Sequence, residues 1–526
     1  MTTISDIIEK RRTFAIISHP DAGKTTLTEK LLLYGNAIEL AGNVRARRNQ
    51  RSTTSDWMEM ERERGISITS TVLQFPYRGH IFNLLDTPGH QDFSEDTYRT
   101  LAAADSAIMI LDAAKGVEPQ TRRLFEVCRQ RGIPIFTFIN KMDRPARQPL
   151  SLFDEIQEVL GMQPVPMNWP LGDGDRFRGV YDRQKQGVYL YDRIERNERK
   201  SPETFHPLDK LVKDGQINPE QLEKLKEDTD LLNGLGFTFD KQAMLSQAQS
   251  PVFFASALTN FGVRVFLDAF AELAPYPQPY ESESGPVYPV DQGFSGFVFK
   301  IQANMNPKHH DSVAFLRVCS GEFDRGMDVT HAQTQKTIRL QRSYKLFANE
   351  RETVEKAYPG DIIGIPNSGD IAIGDTLYAE RHVVFKGIPR FHPEFFGTIR
   401  NLDLNKHKQF NKGIRQLETE GAVQILFQTK ALKQEPILAV VGVLQFDVIQ
   451  ARLENEYNVP TAIERIPNAA ARWVSGPEVD LHKMANRSSV TLCLDSDENY
   501  VALFRERFFA DYVADRFPAL TFEMLN

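Results

Sequence analysis

Cysteine is scarce in this chain: Cys128, Cys319 and Cys493 are the only three. They lie far apart and match no metal-ligand spacing, which argues against a zinc module and a disulfide framework. A reducing, cytoplasmic location is the expectation. The opening stretch MTTISDIIEKRR lacks the apolar core of a secretory signal. No apolar run approaches the ~20 residues that cross a bilayer, so no membrane partner is expected. No repeat of solenoid period is present. Surplus positive charge is missing as well: 63 Lys and Arg face 70 Asp and Glu, a formal net charge of -7. That argues against coating nucleic acid by bulk charge, and no DNA partner is expected, although a local basic face stays open.

What is present is ordinary globular composition in a long chain. Hydrophobic residues make up 41% and charged residues 25% of 526 positions. That length exceeds one hydrophobic core, so about three domains are expected.

Phe14 to Ile17 is a short apolar run that breaks into SHPDAGKTT, residues 18 to 26. Leu27, Leu31 and Tyr34 then recur at helical spacing, and Gly35 suits the helix end. Strand, glycine-containing loop, helix is the context of a phosphate cradle, in which backbone N–H groups and a helix N-terminus face an anion. The fingerprint G-x-x-x-x-G-K-[ST] fits from Gly23 onward, with Ser18 at its first position instead of Gly. Ser18, His19, Pro20, Asp21, Ala22, Gly23, Lys24, Thr25 and Thr26 are the candidate phosphate-binding residues. Lys24 would reach the β- and γ-phosphates, and Thr25 would place its hydroxyl on Mg²⁺. A bare GK[ST] arises by chance in roughly one chain in four of this size, so other segments must agree.

Three do. HIFNLLDTPGH (residues 80 to 90) reads as a strand ending in Asp86, a carboxylate suited to Mg²⁺, followed by Thr87, Pro88, Gly89 and His90. Gly89 lets its N–H approach a γ-phosphate, and His90 sits where a group would orient an attacking water. DTPG alone is also a good β-turn. IPIFTFINKMD ends in Asn140, Lys141, Met142 and Asp143. A carboxylate at Asp143 accepts both donors on one edge of guanine and rejects adenine, by a factor of roughly 10⁴ or more. Asn140 would pair with the N7/O6 side and tie the loop down, while the Lys141 stem covers the ring. VFFASAL ends in Ser256, Ala257 and Leu258, a small-residue turn able to offer a backbone N–H to guanine O6. Four strand ends thus carry phosphate, metal and base chemistry in a consistent order, as ligands of open α/β sheets require.

These residues resemble the translational GTPases. The resemblance makes DTPGH the second switch, NKMD and SAL the guanine readers, and RGISI (Arg64 to Ile68) the first switch, with Ser67 a Mg²⁺ ligand beside Thr25 and Asp86. The basic stretch Arg45 to Ser52 reads either as a solvated loop or as a contact for ribosomal RNA phosphates. SDWMEMERERGISIT, DTPGHQDFSEDTYRTL, LDAAKGVE, GFVFKIQANMNPKH and GVLQFDVIQARLENEYNV are similar to the peptide chain release factor 3 family, over nearly the whole chain. That resemblance implies a ribosome-dependent GTPase using GTP/GDP and Mg²⁺, with His90 and Lys24 as catalytic groups, which ejects class I release factors from the ribosome after peptide release. An elongation factor G-like translocation or ribosome-protection factor is the alternative. Such a translocase carries two further C-terminal domains, for which the residues before Asn526 are too few.

The expected organisation is multidomain α/β. A P-loop GTPase domain with a mainly parallel sheet spans 1–280 and carries a helical insert with a small hairpin at about 150–245. The Pro- and Ser-rich stretch 274–286 reads as a linker. Short strands with glycine-marked turns then predict a β-barrel domain over 287–388. An α+β sandwich domain follows over 390–526, where Phe446, Ile449 and Leu453 share a helix face better suited to a core than to binding.

Overall fold

The computed structural model describes residues 3–38, 67–191, 203–211, 217, 219–303, 312–347, 350–386, 388, 392–429, 435–487 and 489–524. The basic stretch 45–52 and residues 64–66 of the expected first switch lie outside the described residues.

The N-terminal domain begins with β1 (Arg11–Ser18), α1 (Lys24–Tyr34), β2 (Thr71–Tyr77), β3 (His80–Asp86), α2 (Ser94–Leu101), β4 (Ser106–Asp112), α3 (Pro119–Gln130), β5 (Ile135–Asn140), α4 (Pro149–Leu160) and β6 (Gln163–Pro166). An inserted module follows, with β7 (Asn168–Leu171), β8 (Gly179–Asp182), β9 (Gly187–Tyr191), β10 (Glu203–Pro207) and α5 (Pro219–Gly234). Then β11 (Gln249–Phe254) and α6 (Val263–Leu273) complete the domain. Seven strands form its main sheet in the order β2-β3-β1-β4-β5-β11-β6. Among the described residues only β2 runs antiparallel to its neighbour in this sheet. Both faces are covered, so the central strands read as continuous apolar runs. On one face Phe14, Phe82, Phe136 and Phe270 meet edge to face, with Phe14 and Phe136 each 4.7 Å from Phe270.

Strand β1 starts three residues before its apolar run. Arg11 and Arg12 open it, buried, because Arg11 pairs with Asp361 at 2.9 Å and Arg12 donates to the Ala271 carbonyl at 3.2 Å. Gly35 ends α1 as expected, for a different reason. Its φ of -72° is right-handed, and a Cβ there would overlap the Phe75 ring, so close packing and not handedness selects glycine.

The region expected as a helical insert divides differently. Helix α4 and strand β6 belong to the main domain, β6 pairing in parallel with β11. The protruding part is a four-stranded antiparallel meander, β7 to β10, with helix α5 beside it. GVYLY forms the expected hairpin with β8 and is also the third strand of a larger sheet. Trp169, Tyr181, Tyr189 and Leu225 supply the core that a lone hairpin lacks. The expected linker also carries structure: Tyr280–Ser282 and Gly285–Val287 form a two-stranded ribbon.

The second domain is an eight-stranded antiparallel sheet centred on Ser295–Ala303 and Ser312–Ser320, curled around its own apolar core. It abuts the first domain through buried polar contacts. Arg317 reaches Asp105 at 2.6 Å and the Ala103 carbonyl at 3.0 Å. Thr13 and Asn83 both donate to the Gly360 carbonyl.

The third domain holds a duplication that the sequence conceals. Its first half is β12 (Phe395–Asn401), α7 (His407–Thr419), β13 (Gln424–Gln428), β14 (Ile437–Val440), α8 (Leu444–Tyr457) and β15 (Thr461–Ile466). Its second half is β16 (Ala470–Ser475), α9 (Glu478–Ala485), β17 (Val490–Leu494), β18 (Tyr500–Phe504), α10 (Arg507–Arg516) and β19 (Thr521–Met524). Each half is a split βαββαβ unit. Their sheets fuse where β13 pairs with β17, giving the order β15-β12-β14-β13-β17-β18-β16-β19. The helix stripe Phe446, Ile449 and Leu453 is buried in the first half's core, as its spacing predicts.

Candidate nucleotide site

Register sets the site. Ser18 lies opposite Ile110, Asp86 opposite Ile16, and Asn140 opposite Asp112, while Phe254 pairs with Ile139. Because these strands are parallel, their carboxyl ends share one rim, which therefore carries the loops 18–24, 86–90, 140–143 and 255–258.

The first loop turns through two left-handed residues, Asp21 (φ 63°) and Gly23 (φ 98°), before α1 begins at Lys24. Such a turn points successive N–H groups to one side. Gly23 is doubly required: its φ disfavours a side chain, and a Cβ would overlap the Asn140 amide. Ser18, Ala22 and Lys24 are buried, while Pro20 and Asp21 are exposed and Thr25 and Thr26 half-buried. His19 is buried with its Nε2 2.8 Å from a Glu118 carboxylate oxygen. Burial holds its imidazole below the ordinary histidine value, against the pull of Glu118.

Lys24 Nζ lies 2.7 Å from Asp86 Oδ1 and 3.1 Å from the Ser67 hydroxyl. Cation, carboxylate and hydroxyl from three loops meet at one point, all buried. Thr87 turns inward, its hydroxyl donating to the Ile16 carbonyl at 2.6 Å, so its side chain ties β3 to β1. Gly89 lies against Pro20 and the His19 carbonyl with ordinary spacing for a Cβ, so the protein's own packing does not demand glycine there. His90 opens a short 3₁₀ turn, Gln91–Phe93, its Nδ1 accepting the Asp92 N–H at 3.2 Å. With Nδ1 an acceptor, the neutral ring carries its proton on Nε2.

Asn140 staples the two base-side loops. Its amide nitrogen donates to the Ala22 carbonyl at 2.8 Å and its amide oxygen accepts the Ala257 N–H at 2.9 Å. The oxygen is thus committed to the protein, leaving the second amide N–H for a base. Ser256 donates from its hydroxyl to Asp143 Oδ1 at 2.6 Å and spends its backbone N–H on the Phe261 carbonyl. Of the three turn residues, Leu258 alone keeps a backbone N–H with no acceptor among the described residues. Met142 is buried, its N–H bonded to the Ala255 carbonyl. Lys141, left-handed at φ 70°, reaches Asp112 Oδ2 at 2.8 Å. Burial opposes ionisation of Asp112, but Lys141 and the Ala114 N–H outweigh it and hold the carboxyl below its ordinary value. Sequence reasoning missed Asp112 and Glu118. Asp112 carried the same signal as Asp86, an acid closing an apolar strand, and Glu118 carried none.

A strand-end rim with a phosphate-type loop and an NKxD-type corner defines a GTP-binding domain of the translational class. Residues 9–276 match the family model for the elongation factor Tu GTP binding domain, 293–380 that for elongation factor G domain 2, and 385–514 that for the class II release factor RF3 C-terminal domain. Peptide chain release factor 3 of Rippkaea orientalis is 54% identical over 99% of this chain and 96% of its own length. That of Cyanothece sp. is 55% identical over 98% and 95%. A crystal structure of a protein from Thermus thermophilus superposes with a TM-score of 0.69 at 23% identity, covering 92% of this chain and 73% of the other. The chain belongs to the peptide chain release factor 3 family, GTPases of translation termination. No helix among the described residues is long and apolar enough to cross a membrane.

Proposed function

We propose that the rim binds GTP with Mg²⁺ and hydrolyses it on the ribosome, and that the product of this cycle is departure of a class I release factor after peptide release. The observation that carries the chemistry is the meeting of Lys24, Asp86 and Ser67. Thr25, Ser67 and Asp86 are hard oxygen donors, the set that suits Mg²⁺. When bound, Mg²⁺ neutralises charge on the β- and γ-phosphates. The turn from Ser18 to Thr26 cradles the phosphates through backbone N–H groups, and Lys24 stabilises charge on the transferring group. Gly89 leaves room for a phosphate oxygen, and His90 orients the attacking water through Nε2. Asp143 reads the guanine edge, Leu258 offers its N–H to O6, and the Lys141 stem covers the ring.

His90→Ala tests this reading. Ribosome-stimulated turnover falls roughly a hundredfold or more while GTP binding persists. Unchanged turnover removes His90 from the chemistry. For the output, dissociation of a labelled class I factor from ribosomes that have released their peptide accelerates on adding this protein with GTP. A flat rate defeats the termination role assigned to the cycle.

A further inference from the structure

We infer that Asp92 is a positioning residue for His90, and that the third domain sets its geometry by docking a helix N-terminus on it. This rests on the reading of His90 above. Asp92 holds His90 through its backbone N–H, which donates to Nδ1 at 3.2 Å. Its carboxylate oxygen Oδ2 accepts the Leu444 N–H at 2.7 Å.

Leu444 is the first residue of α8, 352 positions away in sequence, and Val443 provides no side-chain cap there. Asp92 therefore caps a helix of another domain. A carboxylate is favoured at this position, because the first N–H groups of a helix lack intrahelical acceptors and carry partial positive charge. The approach is too close for any residue but glycine on the other side. A Cβ on Gly442 would overlap Asp92 Cα and Cβ. The neighbouring N–H groups of Val441 and Gly442 are taken by Gln445 Oε1, so Leu444 is the donor turned to the first domain.

Two further contacts fix the same seam. Phe93, next to Asp92, packs with Ile68, Val448 and Leu444. Arg99, on α2, donates to the Gly421 carbonyl at 3.1 Å. Ile68 follows the proposed Mg²⁺ ligand Ser67, so both switch segments touch the third domain at one place. His90 meets this seam through Asp92 and through the Phe93 ring, whose centroid lies 6.1 Å from the imidazole centroid. Loss of Oδ2 loosens the turn that orients the imidazole, and the hydrogen bonds of Asp92 run to His90 and Leu444, not to the phosphate loop or the base pocket. Asp92 thus acts on kcat and not on nucleotide affinity.

The test is single-turnover GTP hydrolysis by the full-length protein on saturating ribosomes, with GTP affinity measured separately. Asp92→Ala lowers kcat roughly tenfold, the scale of a displaced catalytic group, while GTP affinity and ribosome KM stay within about twofold. Asp92→Asn, whose amide oxygen still accepts the Leu444 N–H, stays within about threefold of the parent. In a His90→Ala background, Asp92→Ala costs nothing more. Gly442→Ala, which forces Asp92 and the start of α8 apart, lowers kcat by a similar factor, and stands in if Asp92→Ala fails to fold. Parental kcat in Asp92→Ala, or an equal loss with and without His90, overturns the inference. A silent His90→Ala instead overturns the reading beneath it, so the two failures are separable.

Discussion

The Arg317 guanidinium and the Asp105 carboxylate face each other at 2.6 Å across the seam between the first and second domains, each side chain 1% exposed. Such a pair is costly to bury and costlier to break, because removing one partner strands the other charge. Arg317→Met or Asp105→Leu alone is expected to cost about 3–5 kcal/mol, and the two together much less. Denaturant midpoints of the three variants check this. Equal costs for single and double exchange would show that packing, not charge, holds the seam.

Asn140→Ala removes two buried hydrogen bonds that join the phosphate loop to the 255–258 turn. Each is worth about 1 kcal/mol net, with a further penalty for the carbonyl and N–H left unpaired. We expect GDP and GTP to weaken together by roughly tenfold or more, with no change in the preference between them. Fluorescent-nucleotide titration measures both. A selective loss of GTP would place Asn140 among the γ-phosphate contacts.

Asp143→Asn changes the hydrogen-bond pattern offered to the base while Ser256 remains to orient the side chain. Preference moves from guanine toward xanthine nucleotides by two or more orders of magnitude, on the roughly 10⁴-fold scale of a base-specific polar site. Competition between GTP and XTP reads it directly. Intact guanine selectivity would move base recognition elsewhere.

His19 sets a pH dependence. Its native value lies below the unfolded value of 6.5, first because of burial and despite Glu118, with Lys115, Asp112 and Lys141 also in range. Below about 6.5 the unfolded chain therefore takes up a proton that the native chain refuses, and stability falls by up to about 1.4 kcal/mol per pH unit. Above that value the site contributes no slope. His19→Gln removes the drop attributable to this position between about pH 6.5 and 5.5. Denaturant midpoints across that range, parent against variant, check it. Identical slopes would assign the titration to another group.

The motifs were legible because each is local: a loop, a strand and a spacing lie within a dozen residues. Asp86, Asn140 and Asp143 could be proposed from strand-end position alone. What Asn140 does with its amide could not, since its partners Ala22 and Ala257 lie 118 and 117 residues away. The same holds for Arg11 and Arg12, charges that look solvated until Asp361 and the Ala271 carbonyl are brought to them. Thr87 and Thr25 are chemically alike in sequence, yet one faces Ile16 and the other lies in the first turn of a helix, a difference set by the chain's path. The two halves of the third domain share a topology without a shared sequence pattern, so only strand pairing shows them.

The protruding meander is spliced into the sheet in a restrictive way. It leaves from the carboxyl end of β6 and returns at the amino end of β11, its parallel neighbour. A hairpin turn cannot join those ends, because parallel neighbours need a crossover of a dozen or more residues. A minimised version of this protein would therefore need an engineered bridging helix in place of the excised module, and trimming at its distal tip would be the gentler surgery.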